Sequence, residues 1–256
     1  PMNSIFITGA GAGIGRATAH LFAAQGWFVG AADLDEGALH SLQDELGEAQ
    51  CSVHVTDVVD VASVRQSLAG FAARTDGRLD VLHNNAGLLR VGRFEDIQLE
   101  DHRQVVDVNL TGVINVLHTA FPYLRDTPGA RVVNMSSASA IYGTPDFASY
   151  SATKHAVRAM TEALDIEWEG YDIRVRDLMP PFVKTGMVES NEAGSGMFEA
   201  MGVHLTAEEV ATEVWKLTRS AELHRPITRK MRSLWAVSGA LPAAATRRIM
   251  KRIWGR

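Results

Sequence analysis

Tyr150 and Lys154 lie four residues apart at the start of a segment with helical period, so their side chains share one face of the predicted helix. A free tyrosine has a pKa of about 10 and is a poor base at neutral pH. A neighbouring ammonium group favours the phenolate and lowers that pKa. The pair therefore predicts proton exchange with an alcohol oxygen. On its own, however, this spacing is more typical of two residues on a helix surface.

Two serines strengthen the catalytic interpretation. Ser136 and Ser137 follow a β-branched run at 131–134 that is predicted to be a strand. Ser137 lies 13 residues before Tyr150 and can donate a hydrogen bond to a reacting oxygen. A serine after a strand is otherwise an ordinary turn residue. Serine, tyrosine and lysine at these spacings together favour a catalytic site.

A glycine-rich turn at residues 8–15 lies between the first predicted strand and the first predicted helix. Glycines let the backbone approach a pyrophosphate, and the start of a helix offers free N–H groups to it. Asp33 ends the second predicted strand, 18 residues after Gly15. A carboxylate there accepts hydrogen bonds from ribose hydroxyls and repels a 2′-phosphate. The predicted cofactor is therefore NAD rather than NADP.

The elements that position these residues alternate along the chain. Strands are predicted at 4–8, 27–33, 51–55, 79–83, 131–134 and 173–178. Helices are predicted at 14–25, 36–46, 61–74, within 99–124, at 150–168 and at 207–219, the last opened by a capping box of Thr206 and Glu209. This alternation predicts an α/β fold with a doubly wound parallel sheet (a Rossmann fold). Ligands of such a fold bind beyond the carboxyl ends of the strands.

The net charge of −5 is unevenly distributed. No acidic residue follows Glu222, so the basic side chains of residues 223–256 sum to +9 and residues 1–222 to −14. The sequence predicts a Rossmann-type NAD-binding and catalytic domain over 2–222 and a basic helical C-terminal extension over 223–256. Cys51 is the single cysteine, and no Cys/His cluster has metal-ligand spacing. We therefore expect a reduced, cytoplasmic protein without a metal.

The extension leaves two alternatives open. Ile249, Met250, Ile253 and Trp254 gather on one face of a predicted helix, and basic residues lie on the other. Such a helix can lie on an anionic membrane as a peripheral contact. Amphipathicity more often indicates a face buried against the domain or a partner subunit. Nucleic acid is not an expected partner, because the acidic body repels phosphate.

Taken together, these motifs resemble the classical short-chain dehydrogenase/reductase family over residues 4–185. Beyond the glycine turn, the resemblance includes Asn84-Asn85-Ala86-Gly87 after the fourth predicted strand. It implies a catalytic tetrad of Asn109, Ser137, Tyr150 and Lys154. In the family the asparagine holds a water molecule that links the lysine to solvent, and Asn109 is expected to do the same.

The resemblance also implies a cofactor site. Its expected members are Gly9, Gly13, Ile14, Gly15, Asp33, Leu34, Asp57, Val58, Asn85, Ala86, Gly87, Tyr150, Lys154, Pro180, Val183 and Thr185. The chain departs from the family at Pro181, where a glycine is usual, and the second proline removes a backbone donor. Many members also end in a strand, whereas this chain is expected to continue into its basic tail.

The predicted function is hydride transfer between NAD(H) and a small-molecule secondary alcohol or ketone. The expected substrate residues are Ser137, Tyr150, Phe147, Phe182 and Met187. Their apolar members suggest a lipophilic substrate, and the glycine- and methionine-rich stretch 186–201 is either a substrate-covering loop or a plain surface loop. A non-catalytic nucleotide sensor or scaffold on the same fold is the alternative function. The resemblance further implies a homodimer or homotetramer that assembles through the long helices near 99–124 and 150–168.

Overall fold

The computed structural model describes residues 2–191, 195, 198, 205–238 and 242–254. Within them, a parallel sheet has the strand order β3-β2-β1-β4-β5-β6-β7. The strands are β1 Ser4–Thr8, β2 Phe28–Asp33, β3 Cys51–Val55, β4 Val81–Asn84, β5 Arg131–Met135, β6 Arg174–Met179 and β7 His224–Pro226. The helices are α1 Gly13–Ala24, α2 Glu36–Leu46, α3 Val61–Ala72, α4 Leu99–Val106, α5 Gly112–Arg125, α6 Ala148–Glu167, α7 Gly186–Glu189, α8 Ala207–Leu217, α9 Arg229–Ser238 and α10 Ala243–Trp254.

Helices cover both faces of this sheet. Every residue of β1 and of β4 is buried, as expected for parallel strands that have no face in contact with water. On one face, α1, α2 and α8 contribute apolar side chains such as Phe22, Leu39 and Val214 to a core cluster. On the other face, α3, α5 and α6 contribute a second cluster that includes Phe71 and Val157. The sheet with its two helical layers confirms the predicted doubly wound fold.

The strand order reverses between β1 and β4, which are neighbours in the sheet although β2 and β3 separate them in sequence. Crossovers therefore leave this point in opposite directions and open a crevice at the carboxyl ends of the two strands. The glycine turn follows β1, and the Asn84-Asn85-Ala86-Gly87 run follows β4. The topology thus brings both motifs to the same crevice.

The predicted helical region 99–124 is divided in the structure. Helix α4 ends at Val106, a π-helical turn covers Asp107–Thr111, and α5 begins at Gly112. Single π-turns inside longer helices are frequent at functional sites. This one contains Asn109, whose side chain is fully buried. Sequence periodicity did not indicate the break, because the apolar pattern continues through it.

The C-terminal part differs from the expectation that the chain runs into its tail without a further strand. Residues His224–Pro226 form β7 and pair in parallel with β6. A three-residue strand that ends in proline has almost no sequence signal. The strand is anchored by the His224 ring, whose Nδ1 lies 3.1 Å from the buried carboxylate of Asp177 on β6. The sheet therefore extends past residue 222, the boundary predicted for the catalytic domain.

Two helices follow β7. Helix α9 buries Met231, and the guanidinium of Arg158 stacks on Trp235 at 4.3 Å from the ring centroid. Helix α10 packs Met250 and Trp254 against an apolar cluster of the main body. Among the described residues, no helix combines the length and the apolar character needed to cross a membrane.

Candidate active site

A cavity of about 250 Å³ lies in the crevice at the carboxyl edge of the sheet. The predicted site residues that line it are Gly9, Ile14, Asp33, Asn85, Ala86, Gly87, Ser137, Phe147, Tyr150, Lys154, Pro180, Phe182, Val183, Thr185 and Met187. The predicted site residues that do not line it are Gly13, Gly15, Leu34, Asp57, Val58 and Asn109. One cavity thus joins the expected cofactor, catalytic and substrate residues.

The glycine turn is shaped by backbone constraints. Gly13 has φ +51, a conformation that side-chain-bearing residues rarely adopt. A Cβ at Gly15 would lie 2.0 Å from the Gly9 carbonyl oxygen, so any side chain there would displace the turn. The Asn85 side chain donates from Nδ2 to the carbonyls of Thr8 at 2.9 Å and Gly9 at 3.2 Å. The motif after β4 therefore holds the turn after β1 in place.

Asp33 lies at the end of β2 beside this turn. Its Oδ2 accepts a hydrogen bond from Gly11 N at 2.9 Å, and its Oδ1 accepts one from Asp35 N at 3.1 Å. Arg16, in the first turns of α1, forms an ion pair of 2.6 Å with Glu45. The polar edge of the cavity thus carries the Asp33 carboxylate in a fixed orientation, and the nearby Arg16 guanidinium is already paired with Glu45.

Three predicted cofactor residues lie away from the cavity. The Leu34 side chain is 68% exposed. Asp57 is exposed and caps its own turn, where Oδ1 accepts a hydrogen bond from Val59 N. Val58 is buried in the core cluster beneath α5, where it packs close to Gly112. The cavity ends at Asp33, so contacts of these three residues with a cofactor remain predictions.

Several residues absent from the predicted set also line the cavity. They are Ala12, Leu89, Met135, Ser136, Pro181 and Val188. Pro181 and Ala12 stand inside motifs that were already assigned, so adjacency to those motifs was the available signal. Leu89 and Val188 have no comparable signal, because an apolar residue in a loop or a short helix is equally typical of the core.

Helix α6 places Tyr150 and Lys154 in the cavity as predicted. The Lys154 side chain is 3% exposed, and its Nζ donates to the Met135 carbonyl at 2.7 Å. Burial lowers the pKa of Lys154 to about 8. Its Nζ lies 5.5 Å from the centroid of the Tyr150 ring. The lysine is therefore held beside the tyrosine by a main-chain carbonyl at the end of β5.

Burial raises the pKa of Tyr150, and the hydrogen bond with the Ser137 side chain acts in the opposite direction. The protein's own groups alone therefore do not lower this pKa, and the lowering expected from Lys154 stays a prediction for the site with its cofactor bound. The reason is that loss of water around the partly buried phenol disfavours the phenolate more than the Ser137 side chain favours it. Ser137 also accepts a hydrogen bond from Ser139 N at 3.1 Å, which orients its hydroxyl. The structure does bring the serine and tyrosine hydroxyls together.

Asn109 lies behind the cavity wall. Its Oδ1 accepts from Leu88 N at 2.6 Å, and its Nδ2 donates to the Leu88 carbonyl at 2.8 Å. A Cβ at Gly87 would lie 3.4 Å from Asn109 Oδ1 and 3.8 Å from Lys154 Nζ. The asparagine is therefore close to the lysine, as the tetrad requires, and it fixes the loop after β4. Its expected hold on a water molecule remains a prediction.

The outer end of the cavity is aromatic. The ring centroids of Phe147 and Phe182 are 5.5 Å apart, and those of Phe182 and Phe198 are 4.4 Å apart. Met187 on α7 is 40% exposed at the opening. The other members of the expected substrate loop, Gly194, Gly196, Met197 and Met201, lie outside the described residues. The described part of the loop packs apolar groups onto the substrate end.

The polar half of the cavity fits a nicotinamide dinucleotide. At Gly13 a Cβ would lie 3.2 Å from Thr185 Cγ2, so the missing side chain leaves a narrow cradle between the turn and Thr185. Asp33 provides acceptors at one end and Lys154 a donor at the other. In the described part of the chain, no group of three histidine, cysteine or acidic side chains could hold a metal ion. The donor set thus suits phosphate and ribose groups.

Comparison with known proteins places the chain in a family. Residues 3–196 match the model of the short chain dehydrogenases. The chain belongs to this family. The chain is 38% identical over 185 residues to 3-oxoacyl-[acyl-carrier-protein] reductase of Thermotoga maritima, covering 72% of this chain and 75% of that one. It is 32% identical over 212 residues to cyclohexanol dehydrogenase of Acinetobacter sp., covering 81% of this chain and 84% of that one.

A solved structure supports the same fold. The 3-ketoacyl-(acyl-carrier-protein) reductase of Brucella melitensis, complexed with NADH, superposes with a TM-score of 0.79 at 24% identity. The alignment covers 88% of this chain and 96% of the Brucella chain. Both the family predicted from the motifs and the doubly wound fold are therefore confirmed.

Proposed function

We propose that this short-chain dehydrogenase transfers a hydride between NAD(H) and a lipophilic secondary alcohol or ketone. The observation that carries the proposal is the convergence of Ser137, Tyr150 and Lys154 on one cavity whose far wall is aromatic. The Ser137 and Tyr150 side chains both face the cavity, and Ser137 favours the phenolate form of Tyr150. A substrate oxygen placed between them receives two donors and faces an apolar compartment.

The cofactor is proposed to be NAD. Gly9, Ile14 and Thr185 would contact its phosphates and nicotinamide half, and Asp33 would hold the adenosine ribose. When bound, the nicotinamide ring supplies the site that accepts or donates the hydride. The carboxylate of Asp33 supports NAD over NADP because it would repel a 2′-phosphate. The NADH complex of the Brucella neighbour supports a nicotinamide cofactor in general.

Proton transfer is assigned to Tyr150. During alcohol oxidation its phenolate takes the hydroxyl proton of the substrate, and during ketone reduction its phenol returns that proton. Ser137 holds the substrate oxygen, and the Lys154 ammonium beside the Tyr150 ring favours the phenolate. Because burial raises the Tyr150 pKa, we expect the oxidation rate to increase as the pH rises above neutral. Asn109 holds Leu88 in the loop after β4. The water molecule expected at Asn109 would link Lys154 to solvent.

The relatives differ in what their names say they act on. One is a reductase of acyl-carrier-protein thioesters, and another acts on cyclohexanol. The aromatic rings of Phe147 and Phe182 at the substrate end favour an apolar ring or chain over a polar carrier. We therefore place cyclohexanol among the first compounds to test, together with borneol, the substrate in the name of another relative.

The decisive experiment is turnover of a panel of secondary alcohols and ketones with NAD and NADP in parallel. The Tyr150→Phe variant should lose at least about a hundredfold in kcat, because general acid–base catalysis contributes roughly that much, and should still bind NADH. Tyr142→Phe is the matched control, since Tyr142 does not line the cavity. Unchanged turnover in Tyr150→Phe would refute the mechanism. NADH binding without turnover of any substrate would favour the non-catalytic sensor.

The proposal also covers the assembly, the location and the domain division of the protein. We expect a homodimer or homotetramer in the cytoplasm, with a catalytic domain that continues through β7 and a helical extension after it. The packing of Met250 and Trp254 against the main body supports the docked alternative for the extension over a membrane contact. Co-sedimentation of the full chain with anionic vesicles would reverse that choice.

A further inference from the structure

The C-terminal helix α10 contacts the substrate end of the active site. An apolar group that we call the outer wall lies there. Its buried members are Leu89, Phe147, Val188 and Phe198. Met250 and Trp254 of α10 are partly buried against this wall, although neither lines the cavity itself. Three wall residues, Leu89, Phe147 and Val188, do line it. The helix therefore supports from outside the surface that a substrate meets from inside.

One carboxylate joins the helix to the site. Oδ2 of Asp146 accepts hydrogen bonds from Trp254 Nε1 at 2.8 Å and from Ser195 Oγ at 2.6 Å. The Asp146 carbonyl also accepts one from Gly92 N at 3.0 Å. Asp146 thus connects α10, the stretch after α7 and the loop after β4. It directly precedes Phe147 of the outer wall and lies four residues before Tyr150.

The backbone at this position indicates that the contact is built into the fold. Asp146 has φ 67, in the left-handed region that aspartate tolerates better than most residues but that still costs energy. This conformation turns the chain just before α6. The indole N–H and the hydroxyl converge on a single charged acceptor, an arrangement that is stronger than a neutral hydrogen bond.

The docking of Met250 and Trp254 accounts for part of the amphipathic pattern of α10, whereas Ile249 on the same face is 41% exposed. Met250 and Trp254 face the outer wall, whereas Arg247, Arg248 and Lys251 are exposed. A helix that lies on a membrane needs its apolar face free for the lipid. Here Met250 and Trp254 of that face pack against the outer wall at the substrate end of the site. The structure therefore favours a closing role over a membrane role for this helix.

We propose that Met250 and Trp254 close the outer end of the substrate site and restrict it to compact apolar alcohols and ketones. The hydrogen bond from Trp254 to Asp146, which we call the latch, holds them in place. The proposal rests on the proposed function. A long linear chain would have to pass between α10 and the outer wall, whereas a small ring would fit within the closed wall. Met250, Trp254 and Asp146 are positioning residues, because they act through the wall rather than on the reacting atoms.

The first test compares substrate size preference. Trp254→Phe keeps a ring but loses the N–H donor, and Asp146→Gly loses the carboxylate while glycine readily adopts the same φ. We expect each variant to lower the ratio of kcat/KM for cyclohexanol to that for 2-decanol about tenfold, mainly through the KM values, as loss of a hydrogen bond to a charged group suggests. The control is Trp235→Phe on α9, whose ring contacts Arg158 and His224 rather than the wall. It should leave the ratio unchanged.

The second test needs no substrate. Amide hydrogen exchange of the full chain should be about tenfold faster in α10 for Trp254→Phe and Asp146→Gly than for the wild type and Trp235→Phe, because loss of one charged hydrogen bond opens the helix to this extent. Equal exchange in the wild type and Trp254→Phe would overturn the proposal, as would an unchanged size ratio. Protection of α10 that arises only after phosphatidylglycerol vesicles are added would also overturn it. If the wild type turns over no alcohol, the proposed function fails, while the exchange pattern still decides on the latch.

Discussion

Asp33 serves two partners with one carboxylate. Its Oδ2 accepts from Gly11 N in the glycine turn, and its Oδ1 accepts from Asp35 N at the start of the next helix. Both donors are main-chain groups, so the carboxylate is oriented by the backbone of the fold. Lone pairs on the same oxygens remain available for ribose hydroxyls. The residue proposed to select the cofactor therefore also shapes the glycine turn.

This double role makes two substitutions at residue 33 separable. Asp33→Asn keeps an acceptor for Gly11 N but removes the charge, so we expect the preference for NAD over NADP to fall about tenfold or more, as loss of one charged contact suggests. Asp33→Ala should also lose affinity for both cofactors, because the turn loses its hydrogen bond. Fluorescence titrations with NADH and NADPH measure both effects. An Asp33→Asn protein with the wild-type preference would contradict the assignment.

Among the elements, β4 contains an unusual core residue. His83 is fully buried between β1 and β5, and within the described residues neither ring nitrogen has a hydrogen-bond partner. Burial lowers its pKa from 6.5 to about 3. The folded protein therefore keeps this ring neutral, whereas the unfolded chain protonates it below about pH 6.5. The strand that positions the Asn84-Asn85-Ala86-Gly87 motif is thus sensitive to acid.

The sign of this effect follows from proton uptake. Below pH 6.5 His83 binds a proton in the unfolded state but not in the folded state, so stability falls as the pH decreases toward about 3. At about pH 5 the loss amounts to ~2 kcal/mol, at about 1.4 kcal/mol per pH unit. His83→Leu should remove this pH-dependent loss of stability and therefore raise Tm more at pH 5 than at pH 7.5. Thermal unfolding at both values is the measurement, and parallel shifts at the two pH values would refute the prediction.

At the scale of the whole molecule, each of the helices expected to form an interface carries an exposed apolar side chain. Leu99 on α4 is 63% exposed, Ile114 on α5 is 45% exposed and Ile166 on α6 is 76% exposed. Exposed apolar side chains on these helices are available for contact with a second subunit. They support the expectation of a homodimer or homotetramer through the long helices.

Assembly can be tested by one charge placed in this surface. Ile114→Glu should shift the sedimentation coefficient of the full chain to a smaller species, because a carboxylate would be buried in the interface at a cost of several kcal/mol. Val237→Glu on α9 is the control, since Val237 is 47% exposed on a different face. A monomeric wild type, or equal sedimentation of the two variants, would contradict the expected interface.

Much of the fold and most of the residues that line the site could be predicted from sequence patterns. The strand and helix periods predicted six of the strands to within about two residues, because side-chain burial alternates with a fixed geometry in each element. The spacing of Tyr150 and Lys154 within one helix, and of Asp33 at the end of a strand, has the same local origin. Parallel topology then brings strand ends together, so the convergence of these motifs was predictable.

What the sequence by itself determined is therefore the chemistry that rests on short separations: the glycine turn, the Tyr150–Lys154 pair and the alternating elements. Tertiary structure alone decided the pairing of Asn109 with Leu88, the short strand β7, the direction of the Tyr150 pKa and the docking of Trp254 on Asp146. Each depends on groups from distant parts of the chain, or on the removal of water by all of them together. No local pattern contains that information, because burial is a property of the packed molecule rather than of a segment.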